Sequence, residues 1–438
     1  MWMRDGPAVS VEAALVGCPR VVRIWRFCMP ASPWAILRCQ FADTVNVPTS
    51  ADDAYFADLF TGSGQGSLNM VDYFLDSSHG AVDISGTDVL GWYVLDQDRA
   101  NYTGSGANPA GRDQLIAWAK QKAIAADGID FSRYAGVLVC MNVPTDLFGV
   151  PHYAAVCDVD GLYPNDLALV MGYEYGMAAS WMEGASGPWT DPWDAMSSGN
   201  AYMFAHDRWG LTGPGLNAAN MYGRGWLDAT RTHVMNATGT ALIHLRPLHR
   251  RDLPGTLAAR IGDFFVEFRV QAGFDAGLPH AAVLVHTLVN NRSYLMVNSD
   301  NTVALVKGSV FDHQSSSGHV VFTVEELDPD GETATIRVNY QLPTKSESAG
   351  PGFEVLGAAS AGGAGVIFVN GKLQKVPPHS PAYRVLEHLA VVADAETVDL
   401  AEARDVMRRE GYKAIGATVA DVLQDLEGFK EVAPRQMH

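Results

Sequence analysis

The stretch DLALVMGYEYGMAASWMEG, residues 166–184, decides how this chain is interpreted. Its apolar residues recur at helical spacing, so the pattern predicts a helix over residues 166 to about 182. Residues four apart lie on one face of a helix, which would place Tyr173 and Met177 side by side with Glu174 next to them.

The flanking sequence gives this helix a context. Downstream, TDPWDAMSSGNAY (190–202) contains Met196, and LNAANMYGRGWLD (216–228) follows it. These segments, with LFTGSGQGSLNMVDYFLDSSHGAVDISGTDVLGWY (59–93) upstream and FFVEFRVQAGFDAGLP (264–279) downstream, closely resemble immune inhibitor A-type (thuringilysin-like) metallopeptidases of the metzincin class. The resemblance extends over about residues 34–340 and implies that Met196 is the Met-turn methionine.

Metzincin proteases carry the pattern H-E-x-x-H-x-x-G-x-x-H, in which three histidines bind zinc and the glutamate is the general base. By the resemblance, the motif positions fall, in order, on Tyr173, Glu174, Met177, Ser180 and Glu183. All three ligand histidines are therefore replaced, and Glu174 alone keeps its place as a vestigial general base.

The replacements are poor zinc ligands. A methionine thioether such as that of Met177 is soft and neutral, and the Tyr173 phenol has a usual pKa of about 10. Glu183 offers an oxygen, but no imidazole accompanies it. We expect no zinc, and we expect Tyr173 and Met177 to fill the vacated space near Met196.

Two alternatives remain open at this point. The helix is an ordinary core helix if the alignment is wrong. Alternatively, the alignment is right and the chain is still a peptidase or other hydrolase, in which Glu174 acts with a metal bound at a different place. His152 and His206 are nearby histidines that could bind such a metal.

A calcium site is a second, weaker hypothesis. The segment DVDGLYPND (158–166) brings together the oxygen-bearing residues Asp158, Asp160, Asn165 and Asp166. Oxygen ligands in an acidic loop suit Ca²⁺, and the resemblance implies structural calcium. An Asp/Gly turn without a metal explains the same letters, and this holds more strongly for DPDGE at 328–332.

The order of the patterns predicts an α+β protein. Strand, helix and strand patterns alternate at first, and the resemblance implies a metzincin-like α/β protease domain over residues 34–228. Alternating strands such as DFFVEFRVQ and TATIRVNY then predict a β-sandwich. The remaining segments are an N-terminal extension (1–33), the β-sandwich (229–345), a Gly/Ser-rich linker (346–380) and a small C-terminal helical tail (381–438).

Composition limits the partners. A formal net charge of −18 disfavours nucleic acid, and no apolar stretch has the length of a membrane span. The five cysteines show no CxxC spacing, and no signal peptide is visible although relatives are secreted, so the compartment stays unknown. We expect a catalytically inactive protein that binds a protein or peptide in its vestigial cleft, with homo-oligomerisation through the tail as a further expectation.

Overall fold

The computed structural model describes residues 32–48, 51–105, 107–146, 155–315 and 317–343, and the backbone of 365–369 and 372–376. Helices and strands are both well represented, so the chain is an α+β protein, as the sequence predicts. Most of the predicted N-terminal extension and the whole C-terminal tail lie outside the described residues, as does His152.

The first region contains a four-stranded parallel sheet with strand order β2-β1-β3-β4. Its strands are β1 (Trp34–Gln40), β2 (Asp88–Val94), β3 (Gly136–Met141) and β4 (Ala155–Asp158). The helices are α1 (Asp53–Phe60), α2 (Met70–Ser77), α3 (Pro109–Asp127), α4 (Pro164–Glu174) and α5 (Ala218–Gly223). A short antiparallel ribbon pairs β6 (Phe204–His206) with β7 (Gly210–Thr212).

Both faces of the parallel sheet are buried, because successive side chains point to opposite sides. Residues such as Ile36 and Cys140 pack with α1, α2 and α4, and residues such as Leu37 and Val139 pack with α3. Helix α4 therefore lies on one covered face of the sheet, and it begins six residues after β4 ends.

One prediction for this region is wrong. Residues 79–95 alternate in a way that predicts paired strands, but only β2 forms there, and it pairs in parallel with β1. The chain turns between residues 84 and 87, where the Thr87 amide donates to the Ile84 carbonyl at 2.9 Å, and only the residues after this turn form a strand.

The second region contains two sheets that share one hydrophobic core. A six-stranded mixed sheet has the order β5-β13-β12-β11-β10-β8. Its members are β5 (Trp181–Met182), β8 (Thr232–Met235), β10 (Ala258–Ile261), β11 (Phe264–Arg269), β12 (Ala282–Val289) and β13 (Arg292–Leu295). A four-stranded antiparallel sheet, in the order β14-β15-β16-β9, contains β9 (Gly239–Leu245), β14 (Val310–Ser315), β15 (Gly318–Asp328) and β16 (Thr333–Gln341).

The two regions are joined by more than the chain. Strand β5, which precedes the predicted boundary at residue 228, pairs in parallel with β13 beyond it. Leu248, Ala258, Phe265 and Phe274 also belong to the hydrophobic cluster that surrounds α4. The hydrophobic core therefore contains residues from both sides of the predicted domain boundary.

The predicted Gly/Ser-rich linker contains a β-hairpin, with β17 (Gly365–Val369) antiparallel to β18 (Lys372–Val376). The sequence VIFV-NG-KLQKV has the pattern typical of a hairpin, an Asn-Gly pair between two strand-like runs. The high Gly and Ser content of the neighbouring residues makes this pattern easy to miss. No helix among the described residues has the length and apolar content that crossing a bilayer requires.

Candidate functional site

Helix α4 carries the first two of the motif positions, but it ends earlier than the sequence predicts. Pro164 occupies the first turn, where its missing N–H costs nothing. The helix stops at Glu174, because Gly176 takes a left-handed conformation with φ of 79°. The Met177 amide then donates to the Gly172 carbonyl at 3.0 Å, which closes the end of the helix. The predicted extension to about residue 182 is wrong.

Two side chains from distant parts of the chain complete this helix end. Arg224 Nη1 donates to the Tyr175 carbonyl at 3.0 Å, and Asn291 Nδ2 donates to the Gly176 carbonyl at 2.6 Å. A cation near the C-terminus of a helix also interacts favourably with the helix dipole. The end of α4 is thus fixed by tertiary contacts that a local pattern does not reveal.

Met177 and Met196 occupy the space beside the helix. Both are buried and belong to one hydrophobic cluster. A methyl group added to Gly172 would lie 2.6 Å from Met196 Sδ and 3.4 Å from Met177 Cε. The two thioethers therefore pack against the same glycine, immediately before the Tyr173–Glu174 pair.

Tyr173 is held by a hydrogen bond, with Trp189 Nε1 donating to its hydroxyl oxygen at 3.0 Å. Burial raises the pKa of this phenol above its usual value, and the bond from Trp189 opposes the shift only in part. Trp189 is itself 42% exposed and has a φ of 59°, which is unusual for a bulky side chain. Its carbonyl accepts a bond from Asn200 Nδ2 at 2.9 Å.

Glu174 is half-buried and lies beside Tyr175. Burial raises the pKa of Tyr175, and the neighbouring Glu174 carboxylate raises it further. The Tyr175 hydroxyl accepts a bond from Trp34 Nε1 at 2.8 Å, which ties the end of α4 to the first strand of the parallel sheet.

Glu183 directly follows β5, at the edge of the six-stranded sheet. Its amide donates to the Leu295 carbonyl at 2.8 Å, and its Oε2 accepts from the Val297 amide at 3.0 Å. Its side chain is exposed. The carboxylate is therefore engaged with the chain that follows β13.

Ser180, at the position of the motif glycine, belongs to a buried polar network that sequence reasoning missed. Its Oγ donates to Asp194 Oδ1 at 2.9 Å and bonds to Ser293 Oγ at 2.8 Å. Asp191 and His286 join the same network through Asp191 Oδ2 and His286 Nε2, 3.1 Å apart. The sequence does contain one sign of this network, since a histidine stands inside the apolar strand AVLVHTLV. Local patterns cannot show which residues that histidine contacts.

The predicted calcium ligands do not all converge. Asp158 is largely buried, and its two carboxylate oxygens accept bonds from the Asp160 amide at 3.0 Å and from the Thr145 amide, 13 positions earlier in the chain, at 2.7 Å. Asp160 is exposed and Asp166 is half-buried. Asn165 is buried and donates to the Gly213 carbonyl at 2.8 Å. The bond between Asp158 and Asp160 is that of a local turn, while the other two reach distant segments; calcium binding stays a prediction.

Of the two histidines considered as alternative ligands, the structure describes His206. Its Nδ1 accepts bonds from the amides of Arg208 and Trp209, both at 3.2 Å, and its ring stacks on Trp209. Across the described ranges, no three or more His, Cys, Asp and Glu side chains group together as a metal site would require. Cys39, Cys140 and Cys157 are buried free thiols.

No protein-family model, no curated protein and no solved structure matches this chain.

Proposed function

We propose that this chain is a metallopeptidase-like protein of the metzincin class, similar to immune inhibitor A, which no longer holds zinc and acts by binding. The observation that supports the proposal is the packing of Met177, which stands at a ligand position if the resemblance holds, against Gly172 and beside Met196. A protein or peptide segment that docks in the vestigial cleft is the expected partner.

Zinc does not fit the donors at this site. Catalytic zinc requires several nitrogen or oxygen donors at about 2.0–2.2 Å and an open position for water. The thioether of Met177 is soft and neutral, and burial makes the Tyr173 phenol harder to deprotonate. The Glu183 carboxylate already accepts a bond from the Val297 amide.

The arrangement of elements supports the wider assignment. A parallel sheet precedes α4, and the methionine expected in a Met-turn packs under that helix. Two sheets with one shared core follow in the chain, as a β-sandwich domain would provide. Trp189, which is exposed beside Tyr173, presents an aromatic surface to a partner. Aromatic side chains contribute strongly to binding when a partner buries them.

The competing proposal is a hydrolase with an altered metal site, since Glu174, the last residue of α4, is half-buried. Metal analysis by mass spectrometry, on protein purified without chelator, separates the two. We expect no stoichiometric transition metal and no cleavage of casein. One zinc per chain together with cleavage would refute the binding proposal.

Restoring the ligands tests the location of the site. We expect the triple variant Tyr173→His, Met177→His, Glu183→His to bind one zinc, measured by mass spectrometry and by competition with a chromogenic chelator. Structural zinc is worth about 10–16 kcal/mol in small peptides. Extending α4 through Gly176 costs only about 1 kcal/mol for the glycine, so zinc can drive that change.

The matched control places the same number of histidines at three exposed tyrosines: Tyr163, Tyr202 and Tyr222. We expect no zinc in this control. A triple variant that folds normally and still takes no more zinc than the control would show that the motif is assigned to the wrong residues.

A further inference from the structure

A buried group of charged side chains lies where residues 189–196, called the Met-turn segment below, meet the six-stranded sheet. Its carboxylates belong to Asp191, Asp194, Glu267 and Asp275, and its cations belong to Arg269 and, when protonated, His286; all are at most 5% exposed. Charges this deep require neutralising partners, because a buried unpaired charge is strongly destabilising.

Arg269 neutralises one side of the group. It forms a two-pronged pair with Asp275, and its Nη1 donates to Glu267 Oε1 at 3.0 Å. The remaining Glu267 oxygen, Oε2, accepts the Ala218 amide. Arg269 therefore cannot also neutralise Asp191 and Asp194, which lie on the other side of His286.

His286 lies between the two sides. Its Nε2 is 3.1 Å from Asp191 Oδ2, and its Nδ1 is 3.8 Å from Glu267 Oε2. Both ring nitrogens thus face carboxylates, Nε2 at hydrogen-bond distance and Nδ1 at ion-pair distance without a hydrogen bond, and the two negative charges favour the imidazolium. Burial disfavours the charged ring, but the carboxylates of Glu267 and Asp191 outweigh this and raise the pKa of His286.

The groups that surround the ring come from every element packed against it. Asp191 and Asp194 come from the Met-turn segment, Glu267 comes from β11, and the neutral donors and acceptors of β13 and α5 are Ser293, Asn217 and Asn220. Burial and neighbouring Asp191 raise the pKa of Asp194 to about 6, so it too favours a proton in the folded state.

We propose that His286 is a pH-dependent latch, whose imidazolium holds residues 189–196 against β11–β13 and releases them when it loses its proton. The same segment carries Trp189, which bonds to the Tyr173 hydroxyl, so its release uncovers the vestigial site. The latch rests on packing and charge, and it is independent of whether the site binds zinc.

The sign of the effect follows from linkage. The ring of an exposed histidine titrates at about 6.5, and in the closed state it holds its proton to higher pH. The latch is therefore fully effective below about pH 6.5, and it weakens by up to about tenfold per pH unit above this until the folded pKa is passed. Protonation of Asp194 acts in the same direction at lower pH.

Hydrogen exchange followed by mass spectrometry on the full chain measures the release. The probes are the amides of Trp193 and Met196, which donate to Asp191 and Asp194 at 2.9 and 2.7 Å. After correction for the intrinsic effect of pH on exchange, we expect their opening to increase up to about tenfold per unit above pH 6.5. They must exchange faster than β15 and β16, because equal rates would mean global unfolding and would overturn a local latch.

Two variants sharpen the test. His286→Gln removes the titrating group, so exchange of residues 189–196 should be faster at pH 6 and lose its pH step. Asp191→Asn removes one carboxylate beside the ring, so the total change with pH should shrink, and this variant suffices if His286→Gln fails to fold.

The matched control is His319→Gln, which removes an exposed histidine paired with Asp312 at 2.7 Å. It should leave the pH step unchanged. Selective ¹³C labelling of histidine gives an independent readout of the ring. A His286 resonance that titrates below 6.5, or a wild-type segment whose corrected exchange does not change with pH, would overturn the latch.

Discussion

Arg269 is a cation with no exposed surface, and its charge is balanced only by neighbours from the same buried group. The Asp275 carboxylate holds the pKa of Arg269 well above its usual range despite the burial that opposes it. In turn, Arg269 lowers the pKa of Asp275, although burial alone would raise it. Each partner is therefore costly to remove singly.

We predict that Arg269→Met lowers the free energy of unfolding by about 3–5 kcal/mol, because it leaves Asp275 and Glu267 without their cation. Urea unfolding followed by circular dichroism measures the loss. The matched control is Arg337→Met, which breaks an exposed pair with Glu325 and should cost at most about 1 kcal/mol. Equal losses in the two variants would show that the buried pairing adds nothing.

At the scale of single residues, the sequence shows which residue types are present but not which residues contact each other. The residue types between positions 173 and 183 are read directly from the sequence, while their assignment to a zinc motif rests on the resemblance of the flanking segments and stays a prediction. The network around His286 could not be read in this way, since Asp191 and His286 are 95 positions apart. Only the strand pairing of the second region brings them together.

Helix α4 shows the same limit for a whole element. Its start follows from Pro164 and the apolar run after it, but its end depends on Arg224 and Asn291. Asn291 lies in the tight turn between β12 and β13 with a φ of 60°, a conformation that asparagine tolerates better than most residues. When tertiary contacts fix the end of a helix, the sequence of the helix alone does not predict where it ends.

We predict that Asn291→Ala destabilises the protein more than Asn291→Gly does. Both lose the bond to the Gly176 carbonyl, worth about 0.5–1.5 kcal/mol, but alanine adds a left-handed backbone cost of about 1–2 kcal/mol. Thermal or urea unfolding measures both. Asn301→Ala is the control for strain alone, since Asn301 has a φ of 63° in a different turn. If Asn291→Gly unfolds like the wild type, the side-chain bond does not stabilise the helix end.

For the whole molecule, the α+β class and the longer strands follow from the sequence because alternation is a local signal. The strands that escaped prediction are short, with two to six residues each: β4, β5, β6, β7, β8, β10, β13, β14, β17 and β18. The predicted boundary at residue 228 reflects a real change of pattern, yet the core and one sheet cross it. The metzincin class and the sandwich domain stay predictions.

We predict that residues 1–228 alone do not form a stable monomer. The cut removes β13, the partner of β5, and exposes Asp191 and Asp194 without His286. A cut after residue 345 removes the β17–β18 hairpin but keeps the sheets and cores of both regions, and it should preserve a cooperative melt. Size-exclusion chromatography and circular dichroism compare the two fragments. A monomeric 1–228 fragment with a cooperative transition would establish an independent first domain.

The two residues of β5 have a consequence for how such a protein can change over evolutionary time. Trp181 and Met182 are contributed by one half of the gene to a sheet encoded by the other half. Shuffling either half as a cassette would leave an unmatched strand edge, which invites aggregation. We therefore expect the two halves to be inherited together, whatever chemistry the first half gains or loses.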